Sequence, residues 1–232
     1  MAVQLKSFTI SKCASIKSEI ASNLPRSTAH KLVARNVRRQ RPGKLNVTSH
    51  LKTAYELVEK EQIRRVKPKE AQAVIEEGYK VLDIRPDWEY ANASVDGSVH
   101  VPFFVEDEGM DPITLLKKSI NMGYGGLWQG SRLTKENVNF LPAVADGVAK
   151  EEKVLLTCAE GLRSLLAVEV LHGQGYTELA WLDGGYQSCS EEDLPNQSGE
   201  CELRFASIGG VSQYFLKLAT YITEMQDKKE EK

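Results

Sequence analysis

Short apolar runs alternate with amphipathic stretches through most of the chain. The runs are rich in Val, Leu and Ile, which is typical of strands buried on both faces. They predict strands over residues 64–66, 81–84, 99–102, 154–158 and 179–182. The stretches between them repeat apolar residues at helical spacing and predict helices over residues 51–61, 68–77 and 164–172. This alternation predicts an α/β fold of three layers, a parallel sheet of about five strands with helices on both faces.

A long connection, residues 103–143, interrupts this alternation. It holds an acidic start at residues 106–108, a helix-like piece at residues 112–120 and a glycine-rich turn at residues 123–128. Loops of this length are usually functional or disordered. Two interpretations stay open: an ordered flap, favoured by the aromatic and apolar content, and a surface insertion with no chemical role.

The C-terminal extension, residues 191–232, carries a pattern of its own. Its apolar residues recur at three-and-four spacing and predict an amphipathic helix over residues 208–226. The residues of this stripe are Ile208, Val211, Phe215, Leu218, Ile222 and Met225. We expect the stripe to pack on the domain, and docking to a protein partner or a membrane surface is the alternative.

Charge is distributed unevenly along the 232 residues, although the formal net charge is only −2. Residues 1–45 are rich in Ser, Lys and Arg and contain one acid, Glu19, a composition that predicts an organelle transit peptide. A disordered basic arm that touches RNA or membrane is the alternative. Residues 46–65 are read as a linker with a helix. The rest of the chain is acidic, which argues against nucleic acid as the main partner of the folded part.

The cysteines are not arranged as a disulfide framework. Four of them, Cys13, Cys158, Cys189 and Cys201, are too few and too scattered for a disulfide scaffold. The sequence has no Cys-x-x-Cys pair and no histidine cluster, so we expect neither a metal nor a cofactor. No run reaches about 18 apolar residues, so no transmembrane segment is predicted.

Cys158 is the strongest candidate for chemistry. It ends the predicted strand at residues 154–158 and begins a loop that leads into the helix at residues 164–172. The free amides and the positive dipole end of that helix face the loop. Such donors favour a thiolate, which is the nucleophilic form of cysteine. The predicted site is therefore an anion-holding, sulfur-reactive cradle, formed by Ala159, Glu160, Gly161, Leu162, Arg163 and Ser164.

Several blocks of the sequence resemble the rhodanese superfamily in the same order. The loop at residues 158–164 resembles its active-site loop, and residues 83–85 (Asp-Ile-Arg) resemble its Asp-Val-Arg element. Residues 88–102 resemble its second block, and residues 182–185 its closing glycine pair. We therefore assign residues 66–190, with the insertion at 103–143, to a rhodanese-like domain. The flanks look like plant chloroplast single-domain rhodaneses, which favours the chloroplast, in the stroma or peripheral to the thylakoid, over the mitochondrion.

The resemblance implies sulfurtransferase chemistry. Cys158 would take a sulfane sulfur from a small donor such as thiosulfate, become a persulfide and pass the sulfur to a thiol or cyanide acceptor. The loop amides would hold the anionic outer sulfur as a nest. Arg163 would hold the charged donor or lock the loop, and Ser164 would open the helix with its hydroxyl. Asp83 and Arg85 are predicted as supporting residues.

Two features of the loop refine this hypothesis. The six residues from Cys158 to Arg163 are one fewer than in related dual-specificity phosphatases, which disfavours a phosphatase or an arsenate reductase. Many thiosulfate-using members place cations where this loop has Ala159 and Glu160, so we expect weak use of thiosulfate and another natural donor. The alternative function is a catalytically weak binding or regulatory module that docks a protein partner, with the C-terminal helix as the contact.

Three further side chains have predicted roles outside the loop. Arg85 is expected either to face the site or to pair with Glu89. Cys189 is read as a loop thiol, with formation of a disulfide with Cys158 as the alternative. Trp181 is read as a packing residue.

Overall fold

The structure is a computed structural model that describes residues 47–230. The expected transit peptide, residues 1–45, lies outside the described residues. Within the described part, five parallel strands form the central sheet. In spatial order they are β1 (Arg64–Val66), β8 (Leu179–Leu182), β7 (Val154–Thr157), β2 (Lys80–Asp83) and β4 (Val99–His100).

Helices cover both faces of this sheet. Successive strand residues point to opposite faces, so Leu82 and Leu156 enter one core while Val81 and Leu155 enter the other. The first core is closed by α1 (Val47–Glu59), α6 (Phe140–Gly147) and α7 (Leu162–Gly173). The second is closed by α2 (Ala71–Glu76) and by the chain after β8. The predicted three-layer α/β fold is confirmed.

The connection at residues 103–143 has secondary structure of its own. Strand β5 (Phe104–Glu106) pairs with β6 (Thr134–Glu136) in antiparallel register. Between them lie α4 (Pro112–Asn121), a π-helical turn (Met122–Gly126) and the short α5 (Leu127–Gln129). Asp111 caps α4, since its carboxylate accepts the Thr114 N–H at 3.0 Å. The segment is thus ordered, as the flap interpretation requires.

The C-terminal extension begins inside the domain core. Strand β9 (Gln197–Gly199) pairs with β3 (Ala93–Val95), which follows α3 (Asp87–Asn92). Leu203 and Ala206 are buried in the second core.

The final helix, α8 (Gly210–Glu230), starts two residues later than predicted and extends beyond the predicted end. Its base is tied to the insertion, because the Gly209 N–H donates to the Gln129 carbonyl at 2.9 Å. The predicted packing of its stripe on the domain is wrong for Phe215, Leu218 and Ile222, whose side chains are exposed. Among residues 47–230, no helix is long and apolar enough to span a bilayer.

Candidate active site

Cys158 follows β7 at the carboxyl edge of the sheet, where its loop leads into α7. Gly161 precedes this helix with φ of +86°, a left-handed conformation that glycine adopts without strain. The turn directs two main-chain donors at Sγ of Cys158, the Gly161 N–H at 3.1 Å and the Ser164 N–H at 3.3 Å. The residue is fully buried, with 0% exposure, but its sulfur lies among polar donors rather than hydrocarbon alone.

Ser164 lies inside helix α7 rather than at its predicted start. Helix α7 begins at Leu162 with Gly161 as its N-cap, so the prediction that Ser164 opens the helix is wrong. The Ser164 hydroxyl lies 3.3 Å from Sγ and donates to the Gly161 carbonyl at 2.9 Å. That carbonyl also accepts the Trp181 indole N–H at 2.8 Å and the Leu165 N–H at 3.0 Å. The hydroxyl can therefore turn its proton toward a negatively charged sulfur without leaving the carbonyl unsatisfied.

The turn after β8 supports the loop from behind. The Tyr186 N–H donates to the Cys158 carbonyl and the Gln187 N–H to the Ala159 carbonyl, each at 2.9 Å. This contact leaves no room for a side chain at Gly185. A Cβ there would lie 2.6 Å from the Gly161 nitrogen and closer still to the Cys158 carbonyl oxygen.

Asp83 and Arg85 form a fully buried ion pair next to Tyr186 of the same turn. The Arg85 Nη2 donates to Asp83 Oδ2 at 2.6 Å and to the Ala93 carbonyl at 2.7 Å, and the guanidinium lies 4.5 Å from the Tyr186 ring centre. Burial opposes the charge, but the Asp83 carboxylate outweighs it and holds the pKa of Arg85 above its usual value. The prediction for Arg85 left two alternatives, and the structure shows neither: it pairs with Asp83.

Glu89 forms a salt bridge with Arg163 rather than with Arg85. Nη1 and Nη2 of Arg163 donate to the two carboxylate oxygens at 2.9 and 2.7 Å, a bidentate geometry that fastens α7 to α3. Burial alone would lower the pKa of Arg163, and the hydrogen-bonded Glu89 raises it above its usual value. Of the two roles predicted for Arg163, this geometry favours locking the loop.

A cavity of about 570 Å³ opens beside the loop. Ala159, Glu160 and Arg163 line one side, while the insertion and the start of α8 supply the other, with Arg132 and Ser212. Arg132 pairs with Glu106 at 2.8 Å. Glu160 is exposed, and it contacts the Gln187 side chain at 3.5 Å without forming a salt bridge to a described cation. Leu162 lies half exposed at the start of α7.

The other thiol near this edge is Cys189. It is buried, and its Sγ contacts the Gly185 carbonyl at 3.6 Å. Burial raises the pKa of Cys189 to about 12, so it stays a thiol at neutral pH and is a poor partner for disulfide exchange. Within residues 47–230, no group of three His, Cys, Asp or Glu side chains is placed to hold a metal ion.

Comparison with known proteins identifies the family. The family model described as rhodanese-like domain matches residues 67–192, more than half of the chain. The chain belongs to the rhodanese-like domain family. The matched range includes four of the five strands of the central sheet, the insertion and the Cys158 loop.

Curated relatives agree with this membership. Rhodanese-like domain-containing protein 10 of Arabidopsis thaliana is 51% identical over 86% of this chain and 94% of its own length. Rhodanese-like domain-containing protein 11, chloroplastic, of the same plant is 36% identical over 68% of this chain and 54% of its own length. Among solved structures, a rhodanese-related protein from Thermoplasma volcanium is 21% identical over 54% of this chain and 88% of its own, with a TM-score of 0.33.

The rhodanese domain contains supporting residues that the sequence did not reveal. Trp181, read as a packing residue, donates its indole N–H to the carbonyl that precedes α7. One feature could have indicated this contact: Trp181 lies on β8 opposite Leu156 of β7, and β7 leads directly into the Cys158 loop. Tyr186 accepts the Thr157 hydroxyl at 2.6 Å. No local pattern marks that contact.

The close approach of Gly185 to the loop predicts a large penalty for a side chain there. With φ of +60° and backbone atoms in the way, Gly185→Ala should lower the free energy of unfolding by about 3 kcal/mol. Gly97 is a matched control, since it also has positive φ, +75°, but open space around its Cβ position. Gly97→Ala should cost about 1 kcal/mol. Urea denaturation measures both, and equal losses would contradict a steric role for Gly185.

Proposed function

We propose that this protein is a rhodanese-like sulfurtransferase that moves sulfane sulfur through a persulfide on Cys158. The observation that carries the proposal is the pair of N–H groups, from Gly161 and Ser164, that point at Sγ. The amino end of α7 adds its positive dipole to the same place. This environment suits a sulfur atom that is a thiolate before it takes up the sulfane sulfur and again after it has passed that sulfur on.

The reaction needs no cofactor. The Cys158 thiolate attacks the outer sulfur of a donor such as thiosulfate, the S–S bond of the donor breaks, and sulfite leaves with the electron pair. An acceptor thiolate or cyanide then attacks the outer sulfur of the persulfide. The bond between the two persulfide sulfurs breaks and restores the Cys158 thiolate. The Ser164 hydroxyl can donate a hydrogen bond to Sγ whenever that atom carries the negative charge.

Charge and burial both limit thiosulfate as the donor. Glu160 lines the cavity without a salt bridge to a described cation, so its carboxylate repels a dianion. Arg163 and Arg132 are paired with Glu89 and Glu106 and do not offer a free cation in compensation. Since Cys158 is fully buried, the donor can reach it only when the loop or the wall of the cavity moves. We therefore propose weak activity with thiosulfate and a less negatively charged natural donor.

A second candidate function is a binding module without significant catalysis. The burial of Cys158 and the exposed stripe of α8 favour it. In this case the rhodanese fold docks a protein partner, and Cys158 forms no persulfide with any donor. Persulfide formation at Cys158 separates the two functions.

We also propose a plastid location. Two observations support it: the basic, acid-poor composition of residues 1–45, and chloroplastic relatives such as rhodanese-like domain-containing protein 11. The name of the relative that is 51% identical contains no compartment.

The first test is persulfide formation at Cys158. After incubation with thiosulfate or inorganic polysulfide, intact mass should show one added sulfur atom, and cyanide should release it as thiocyanate. Cys158→Ser should abolish both signals, because a hydroxyl forms no persulfide. Cys189→Ser is the matched control and should retain both, since that thiol stays protonated. The absence of a sulfur adduct on Cys158 with every sulfane donor would refute the enzyme hypothesis.

The second test concerns the charge of Glu160. Glu160→Gln should raise kcat/KM for thiosulfate about tenfold at low ionic strength, because it removes repulsion of the dianion. The gain should shrink as salt is added. Glu191→Gln, an exposed acid outside the cavity, should change nothing. An unchanged rate for Glu160→Gln at every salt concentration would show that this carboxylate does not select the donor.

A further inference from the structure

Helix α4 turns its apolar stripe away from the domain. Ile113, Leu116 and Ile120 share one face at helical spacing, and they are 67%, 62% and 51% exposed. The opposite side carries polar contacts, since Thr114 is buried and the Asn121 side chain donates to the Ser131 carbonyl at 2.7 Å. An amphipathic surface helix normally buries its apolar stripe. No described element covers this one.

Exposed apolar side chains also lie on the residues that follow α4 and on α8. Helix α5 contacts the first turn of α8 so closely that a Cβ on Gly130 would lie 2.6 Å from the Gly210 nitrogen. Large exposed side chains flank this junction on both elements. We call them the apolar face: Ile113, Leu116, Ile120, Met122, Tyr124, Leu127, Trp128, Tyr214, Phe215, Leu218, Tyr221 and Ile222. Extended exposed apolar surface on a soluble domain marks an interaction site.

The charge around the apolar face differs from that of the rest of the domain. Residues 47–232 contain 20 Lys and Arg against 31 Asp and Glu, a net charge of −11. Residues 112–135, in contrast, contain four basic side chains and no acid. Arg132 and Lys135 pair with Glu106 and Asp107, while Lys117 and Lys118 of α4 form no salt bridge with a described acid. Lys117 lies on the exposed side of α4. These two lysines make the surface beside the α4 stripe locally basic, and a basic surface is complementary to an anionic one.

The composition of the face selects the kind of anionic surface. Its Trp and Tyr side chains combine an apolar ring with a polar group, and such residues concentrate at the boundary between lipid and water. Tyr124, at 90% exposure, lies in the π-helical turn after α4, and Trp128 lies in α5 and is 55% exposed. A second copy of this chain fits less well, because a two-fold contact would oppose two faces of the same positive sign.

We propose that the apolar face binds the surface of an anionic lipid bilayer. The aliphatic and aromatic side chains enter the boundary between headgroups and acyl chains, and Lys117 lies at the level of the headgroups. Helices α4 and α8 then lie in the plane of the interface. This inference does not depend on the chemistry of Cys158.

Vesicle binding by the full-length chain tests the proposal. The protein should co-sediment with vesicles of phosphatidylcholine containing phosphatidylglycerol and weakly, if at all, with phosphatidylcholine alone. Leu116→Asp and Phe215→Asp should each weaken binding to the anionic vesicles at least about tenfold, because each places a charge where apolar surface is buried. Lys117→Gln should weaken it about fivefold. Val138→Asp and Lys69→Gln change an exposed valine and an exposed lysine outside the face and should bind as the wild type does.

Depth of insertion gives a second readout. Vesicles with brominated acyl chains should quench part of the tryptophan emission, and Trp128→Phe should remove that quenching. Trp181, 4% exposed in the core, should not contribute. Unchanged thermal midpoints confirm that the variants, all at exposed positions, remain folded.

Three results would overturn the proposal. The first is equal binding to neutral and anionic vesicles. The second is undiminished binding by Leu116→Asp and Phe215→Asp, which would assign the interaction to the basic residues 1–45. The third is no vesicle binding together with a dimer, seen by sedimentation equilibrium, that Leu116→Asp dissociates, which would make a second copy the occupant of the face.

Discussion

The geometry of the Cys158 loop depends on a close contact between two stretches of backbone. The turn at Gly184 and Gly185 lies directly against the loop from Cys158 to Gly161, with no space for a Cβ at the contact. Because the turn also donates two hydrogen bonds to loop carbonyls, it holds the loop with its amides facing inward. The position of Sγ among main-chain donors follows from this contact.

The arginines around the loop are paired with carboxylates, whereas Glu160 forms no salt bridge with a described residue. Arg85 is held by Asp83 inside the domain, where removal of either partner would leave a buried charge and cost about 3–5 kcal/mol. Arg163 is held by Glu89 at the edge of the cavity. Both arginines therefore serve the scaffold. Glu160 adds an exposed carboxylate to the side of the cavity that Arg163 also lines.

The insertion and the C-terminal extension have two roles in the same structure. Gln129 and Gly130 of the insertion contact Gly209 and Gly210 at the base of α8, and these elements together form the far wall of the cavity. The outer side of the same elements carries the apolar face.

Local pattern was sufficient for the five strands of the central sheet and for the helix after Cys158. Strand and helix periodicity, and glycine at positions with positive φ, depend on residues close together in the chain. Such patterns could not predict contacts between residues that are far apart in the chain. Glu89 and Arg163 are 74 positions apart, and Trp181 donates to the Gly161 carbonyl from another strand. Periodicity also shows that a helix has an apolar stripe but not which way the stripe points. Only the packing of the whole chain decided that the stripes of α4 and α8 face outward, because burial depends on which surfaces the rest of the fold supplies.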